Sequence, residues 1–206
     1  MKFHLGKIPE TDFKPDEKWK PLREPGPIVM QLCAIPIGAI VAFAVGSGWS
    51  LILHQVPQIH VTGHAAIAVP LMFLISIPLV IIVHEFIHAL FHPHCGRTDE
   101  SAVGLWPSRL VFYAMFTGEH SRDRFLAILI APFFLISLLP LAFFSCFPTP
   151  LGTIAAHLAA FCSTFNALAA CGDLFGVALL LCQVPRGAIT RNQGWRTFWK
   201  RRAPDS

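Results

Sequence analysis

Apolar residues along this chain come in long unbroken blocks separated by short polar stretches, with little alternation between the two. The blocks run over Ile28–Leu53, Ala65 to about Phe91, Phe125 to about Phe147, and Leu151–Val184. A helix needs roughly 20 residues to cross a hydrocarbon core of about 30 Å, and the first three blocks match that length. The fourth, as one straight helix, would approach about 50 Å at 1.5 Å per residue. It therefore starts in the interface, tilts strongly, or breaks near Asn166–Gly172. The pattern predicts an all-α membrane protein with four transmembrane helices. It divides the chain into a polar tail over 1–27, a transmembrane domain over 28–185 and a basic tail over 186–206. The proline-rich residues 1–27 carry mixed charges and lack the apolar core and small-residue cleavage site of a signal peptide. They read as a tail ahead of a mature transmembrane helix.

Composition sharpens this picture. The 206 residues are 54% hydrophobic and 14% charged, with a mean hydropathy of +0.57, whereas soluble domains carry about 25% charged residues. Disordered and nucleic-acid-binding classes are excluded, and no nucleic acid is expected among the partners. The positive charges are segregated. Six of the 16 Lys and Arg precede Ile28, four lie in the 93–124 connection and six follow Val184, while 54–64 and 148–150 hold none. Four spans with both termini inside place all of them on the cytoplasmic side; an odd number would strand one basic terminus outside. The address implied is a cytoplasmic, bacterial inner membrane. The six Cys form no CxxC pair and read as small buried residues. Within 93–124, two short apolar runs, Val103–Leu105 and Leu110–Ala114, flank Trp106-Pro107-Ser108-Arg109. They read either as a short hairpin, whose edge could hold an extended peptide, or as an interfacial loop anchored by Trp106 and Tyr113.

Ten of the 12 acidic residues lie in tails or connections, and Glu85 and Asp173 alone sit inside apolar blocks. An ionised acid near a helix centre costs about 2.5–3.5 kcal/mol on insertion scales and usually faces a functional interior. With no Lys or Arg in any span to pair with, a metal ion is a natural partner. His84-Glu85-Phe86-Ile87-His88 is an HExxH motif: residues four apart project from one helix face, so both imidazoles can hold one Zn²⁺. Glu85, turned about 100° away, can act as general base on the water to be activated. The bland alternative is a pair of packing histidines with a protonated Glu85. A third ligand is required, and the candidates are Asp173, His92, His94, Glu119, His120 and His157. Asp173 is the best of them, since it is the other intramembrane acid, lies at comparable depth and is framed by Gly172 and Gly176 at a close-packing spacing. His92 and His94 read as interfacial, Glu119 and His120 as solvated, and His157 as a packing or hydrogen-bonding histidine. Pro78, six residues before His84, should kink the second helix.

These residues resemble the small integral-membrane zincin-type peptidases of the DUF3267 family. The layout is also distantly similar to site-2-protease intramembrane metalloproteases. The likeness rests on His84, Glu85, His88, Asn166 and Asp173. It implies that the two histidines and Asp173 bind zinc, that Glu85 activates water, and that a peptide bond in or beside the membrane is cleaved. In the site-2 pattern the Asn precedes the Asp by two residues; here Asn166 precedes Asp173 by seven. On a continuous helix they would share a face about 10.5 Å apart. Asn166 is then a substrate contact, a support to the metal ligands, or an interhelical hydrogen-bonding residue. Other classes use some of the same residues. A proton-coupled transporter would employ Glu85 and Asp173 but should string polar groups through the whole membrane. A haem protein would leave Glu85 without a role, and a non-catalytic client-binding relative could dispense with it. The expected partners are the lipid bilayer and a membrane-protein or peptide substrate. The Arg/Lys/Trp-rich tail 186–206 is either attracted to anionic lipid or only the topology signal.

Overall fold

The structure is a computed structural model that describes residues 1–9, 11–109, 111–148 and 151–202. Six α-helices and seven strands are defined among them. The helices are α1 (Pro27–Leu53), α2 (Ala65–Phe91), α3 (Arg122–Pro132), α4 (Leu139–Cys146), α5 (Thr153–Ala169) and α6 (Cys171–Gln183). The strands are β1 (Lys2–Leu5), β2 (Lys20–Pro21), β3 (Ser101–Trp106), β4 (Val111–Phe116), β5 (His120–Ser121), β6 (Ile189–Gln193) and β7 (Arg196–Lys200). Three helical stretches are long and apolar enough to cross a membrane: Ile28–Leu53, Ala65–Phe91 and Arg122–Cys146. The bent pair α5–α6, deflected by 47°, makes a fourth if counted as one span. Helix α2 runs unbroken through Pro70 and Pro78. The third stretch is not uniform, because α3 and α4 are joined through a π-helical segment, Phe133–Leu138.

The prediction of an all-α protein is corrected by two sheets. A three-stranded sheet has the order β1-β3-β4, with β1 parallel to β3 and β3 antiparallel to β4. Of the two readings of the 93–124 connection, hairpin and interfacial loop, the β3–β4 pair is the hairpin, in register from Ser101↔Phe116 to Trp106↔Val111; Leu110, the start of its second predicted run, lies outside the described residues. The aromatic and β-branched content of both strands suits a pleated, half-buried surface. A four-stranded sheet has the order β2-β7-β6-β5. Its β6–β7 hairpin turns on Gly194-Trp195, with Gly194 at φ +56°, as a two-residue hairpin loop with glycine first requires. Both tails therefore contribute strands; residues 203–206 of the basic tail lie outside the described part.

The chain divides into two compact units. The first comprises Met1–Cys33, Glu85–Ala131 and Asp173–Ser206, the second Ala34–His84 and Pro132–Gly172. The first unit holds both sheets. Its core packs Leu22, Leu180, Val184 and Ala188 with Phe125, Leu129 and Trp199, and a smaller cluster sets Ile8 against Tyr113 and Met115. The second unit is helical, built around Val45, Trp49, Ile52, Phe144, Ala156 and Ala160. There Gly38 lets α1 pass close to the end of α5, since a Cβ at that position would lie 2.7 Å from Cys171 Cβ and 2.9 Å from the Leu168 carbonyl oxygen.

Candidate metal centre

The HExxH segment occupies the last two turns of α2, where the helical repeat carries His84 and His88 to one face. Both imidazoles are buried. Their Nδ1 atoms are committed elsewhere. His84 Nδ1 lies 2.8 Å from Asn166 Oδ1, and His88 Nδ1 lies 2.8 Å from the carbonyl oxygen of Ile128. A carbonyl oxygen only accepts, so in both cases Nδ1 carries the proton and donates. With Nδ1 so engaged, Nε2 is the atom through which each ring, when neutral, can ligate a metal.

Asn166 is oriented by its other end. Its Nδ2 donates to the Pro132 carbonyl at 3.1 Å and to Ser137 Oγ at 2.9 Å, which fixes which amide atom is the oxygen. Ser137 and Ser163 exchange hydroxyl-to-carbonyl bonds of 2.8 Å, and Trp49 Nε1 donates to Ser163 Oγ at 2.8 Å. Trp49, Ser137, Ser163 and Asn166 are all fully buried. A buried polar network is favourable only when its members are satisfied, and this one ends on the ring of His84. Sequence reasoning missed Ser137, Ser163 and the Ile128 carbonyl. Two serines in otherwise apolar spans were the available signal for the first two; a backbone carbonyl leaves none.

Asp173 enters from the first turn of α6. The α5–α6 run breaks at Ala170, whose φ/ψ of −70°/6° is no longer helical. Gly172, a weak helix former, follows. Of the three alternatives for this block, the break near 166–172 is the one found, and a continuous face joining Asn166 to Asp173 does not form. Asp173 instead sits at a helix N-terminus, where the macrodipole favours an acid. Its Oδ2 lies 3.4 Å from His88 Nε2. One ligand atom each from His84, His88 and Asp173 all fall within 4.8 Å of one another. His84 belongs to this group by the single helical turn of α2 that separates it from His88. Two imidazole nitrogens and one carboxylate are a donor set suited to zinc, with a fourth position left for chemistry.

In the first unit, Glu85, His88 and Asp173 line a cavity of about 270 Å³ together with His92, His120 and strand β4. Glu85 is half-buried. Strand β4 is the edge of its sheet, so the cavity has backbone hydrogen-bonding groups along one wall. Two histidines sit differently from expectation. His92 is buried, 2% exposed, with Nδ1 2.7 Å from Ser101 Oγ. His120 is buried as well, its ring edge-on to Phe116 and Phe125 at 5.6 and 4.9 Å between centroids. Its expected solvation is thus corrected: the strand β5 that carries it is covered by aromatic side chains. Burial is the main cause that pushes both imidazoles down to about 4; for His120 the Gly118 carbonyl opposes it and the Arg124 guanidinium adds to it, and for His92 the nearby His120 and His88 rings disfavour a further positive charge. Glu119 accepts from Lys200 Nζ at 2.8 Å, His94 is exposed, and His157 Nδ1 bonds the Thr153 carbonyl of its own helix at 2.9 Å. None of these joins the His84–His88–Asp173 group among the described residues.

A family profile, DUF3267, described as "putative zincin peptidase", matches residues 77–189, more than half of the chain. That range opens just before the HExxH segment and closes just after α6. No curated protein and no solved structure matches the chain.

Proposed function

The chain belongs to this zincin peptidase family, and from that premise we propose that it is a membrane-embedded zinc metallopeptidase that hydrolyses a peptide bond in or beside the bilayer. The observation that carries the reading is the convergence of His84, His88 and Asp173 within 4.8 Å, with both imidazoles offering Nε2. These three residues would hold the metal. Zinc there supplies a Lewis acid for a peptide carbonyl and for water. Glu85, on the cavity wall beside His88 and Asp173, takes the proton of the attacking water. It then returns that proton to the amine that leaves. The free edge of β4 along the same cavity pairs with an extended stretch of substrate, which suits a segment that must unwind before its amide can be reached. Asn166, fully buried, supports His84 and does not touch substrate. Three to four apolar spans and cation-rich tails suit a bacterial inner-membrane protein with both termini cytoplasmic. Its partners would be the bilayer and a membrane-protein or peptide substrate.

The test is metal content of the detergent-purified chain. About one zinc per wild-type chain is expected, lost in Asp173→Ala and in His84→Ala. Glu85→Gln should keep its zinc, lose hydrolysis and retain bound substrate. A wild type that takes up no zinc would remove the peptidase reading. His88 and Asp173, 3.4 Å apart, would then be treated as a proton-sharing pair of the kind a proton-coupled transporter uses.

A further inference from the structure

We propose that Pro132 is a positioning residue for both metal-binding imidazoles, acting through two carbonyls: its own and that of Ile128. In an unbroken α-helix the carbonyl of residue 128 accepts from the N–H of residue 132. Pro132 has no N–H, so it releases the Ile128 oxygen from that bond. A freed carbonyl in a membrane-spanning helix needs another donor, because no water is there to supply one. The donor it meets is His88 Nδ1, at 2.8 Å. That bond keeps the proton on Nδ1 and turns the His88 ring so that Nε2 faces Asp173 Oδ2, 3.4 Å away.

The second carbonyl works from the other side of the same residue. Immediately after Pro132 the helix widens into the π segment Phe133–Leu138. The Pro132 oxygen accepts from Asn166 Nδ2 at 3.1 Å. Held there and at Ser137 Oγ, Asn166 can only turn Oδ1 toward His84 Nδ1. One proline at the α3–π junction thus sets the acceptor for each histidine, directly for His88 by the bond it omits and through Asn166 for His84. An alanine at 132 restores an N–H that competes with His88 for the Ile128 oxygen and favours regular α-helix over the widened turn. The inference rests on the zinc-peptidase reading, since it assigns a purpose to the two rings as ligands.

The experiment is zinc titration against a competing chromophoric chelator, on the full chain in detergent, comparing wild type, His88→Ala and Pro132→Ala. Loss of orienting partners of metal ligands weakens binding about 10- to 100-fold, and that drop is expected for Pro132→Ala. The melting temperature of its metal-free form should not fall, because alanine is the better helix former. Zinc binding equal to wild type in Pro132→Ala, with binding abolished in His88→Ala, would overturn the inference and leave the zinc site standing. A wild type that binds no zinc would remove both. A second readout does not depend on how the variant folds. In ¹⁵N-histidine NMR of the metal-free wild type, with His88 assigned by its loss in His88→Gln, Nδ1 should be protonated and hydrogen-bonded. A ring with Nδ1 unprotonated would overturn the inference.

Discussion

His92 and His120 are two imidazoles that the fold keeps neutral. Burial pushes each down to about 4, against about 6.5 for an unfolded histidine. Between those values the unfolded chain binds more protons than the folded one, so stability is fully present above about pH 6.5 and is lost as pH falls toward 4. The two together account for a loss on the order of a few kcal/mol across that window. Thermal melting of the detergent-purified chain, in chelator so that metal release does not contribute, should show a falling midpoint between pH 7 and pH 5. Replacing both with glutamine should flatten that dependence; a slope unchanged in the double variant would mean the titrating groups lie elsewhere. The same comparison shows what a residue-level reading of sequence can reach. His84, Glu85, His88 and Asp173 were legible because spacing and an apolar setting single them out. His120 was not, because a polar-looking neighbourhood in sequence, Thr117-Gly118-Glu119, says nothing about Phe116 and Phe125 closing over the ring.

Among the elements, those legible in sequence are the ones whose signal is local. Helix α2 begins and ends where the apolar block does, Ala65–Phe91, and α1 differs by one residue at its start. The third stretch begins at Arg122 rather than Phe125, since its first turn is the charged Arg122-Asp123-Arg124, which hydropathy cannot assign to a helix. The π segment Phe133–Leu138 has no compositional mark. The strands of the tails escaped for a different reason: β1 pairs with β3 about a hundred residues away, and β2 with β7, so neither is stabilised by anything near it in sequence. Tight helix contact is likewise a tertiary property. Of the glycines near the α5–α6 break, Gly172 has open space around its missing side chain, whereas Gly38 is pressed against Cys171 and the Leu168 carbonyl. Gly38→Leu should therefore destabilise by about 1–3 kcal/mol or more, because a backbone carbonyl cannot give way as a side-chain tip can. Gly172→Ala should be neutral or slightly stabilising. Melting temperatures of the two variants decide it, and equal effects would show that α1 does not approach the break so closely.

On the scale of the whole molecule, the sheets bear on membrane topology independently of charge. Strand β1, from the N-terminal tail, is hydrogen-bonded to β3 of the 93–124 connection. Strand β2, also from that tail, pairs with β7 of the C-terminal tail, and β5 of the connection pairs with β6. Backbone partners cannot lie on opposite sides of a bilayer, so both tails and the connection share one side. In the topology we propose, α1 and α2 cross and return, and the Arg122–Cys146 stretch and the bent α5–α6 pair do the same. Those four crossings would gather all 16 Lys and Arg on one side, which the positive-inside bias would make the cytoplasm. Reporter fusions test this directly. A fluorescent-protein fusion at the C-terminus should be bright and an alkaline phosphatase fusion there inactive. Alkaline phosphatase joined after His60, in the uncharged connection between α1 and α2, should be active. Phosphatase activity at the C-terminus would break the argument, because the β2–β7 pair would then join segments on opposite faces of the membrane. Activity only after His60 would instead fix the open side of the His88–Asp173 cavity, which β4 and both tails' unit enclose, as the cytoplasmic one, and would direct the search for substrate to proteins presenting an unwound segment at that face.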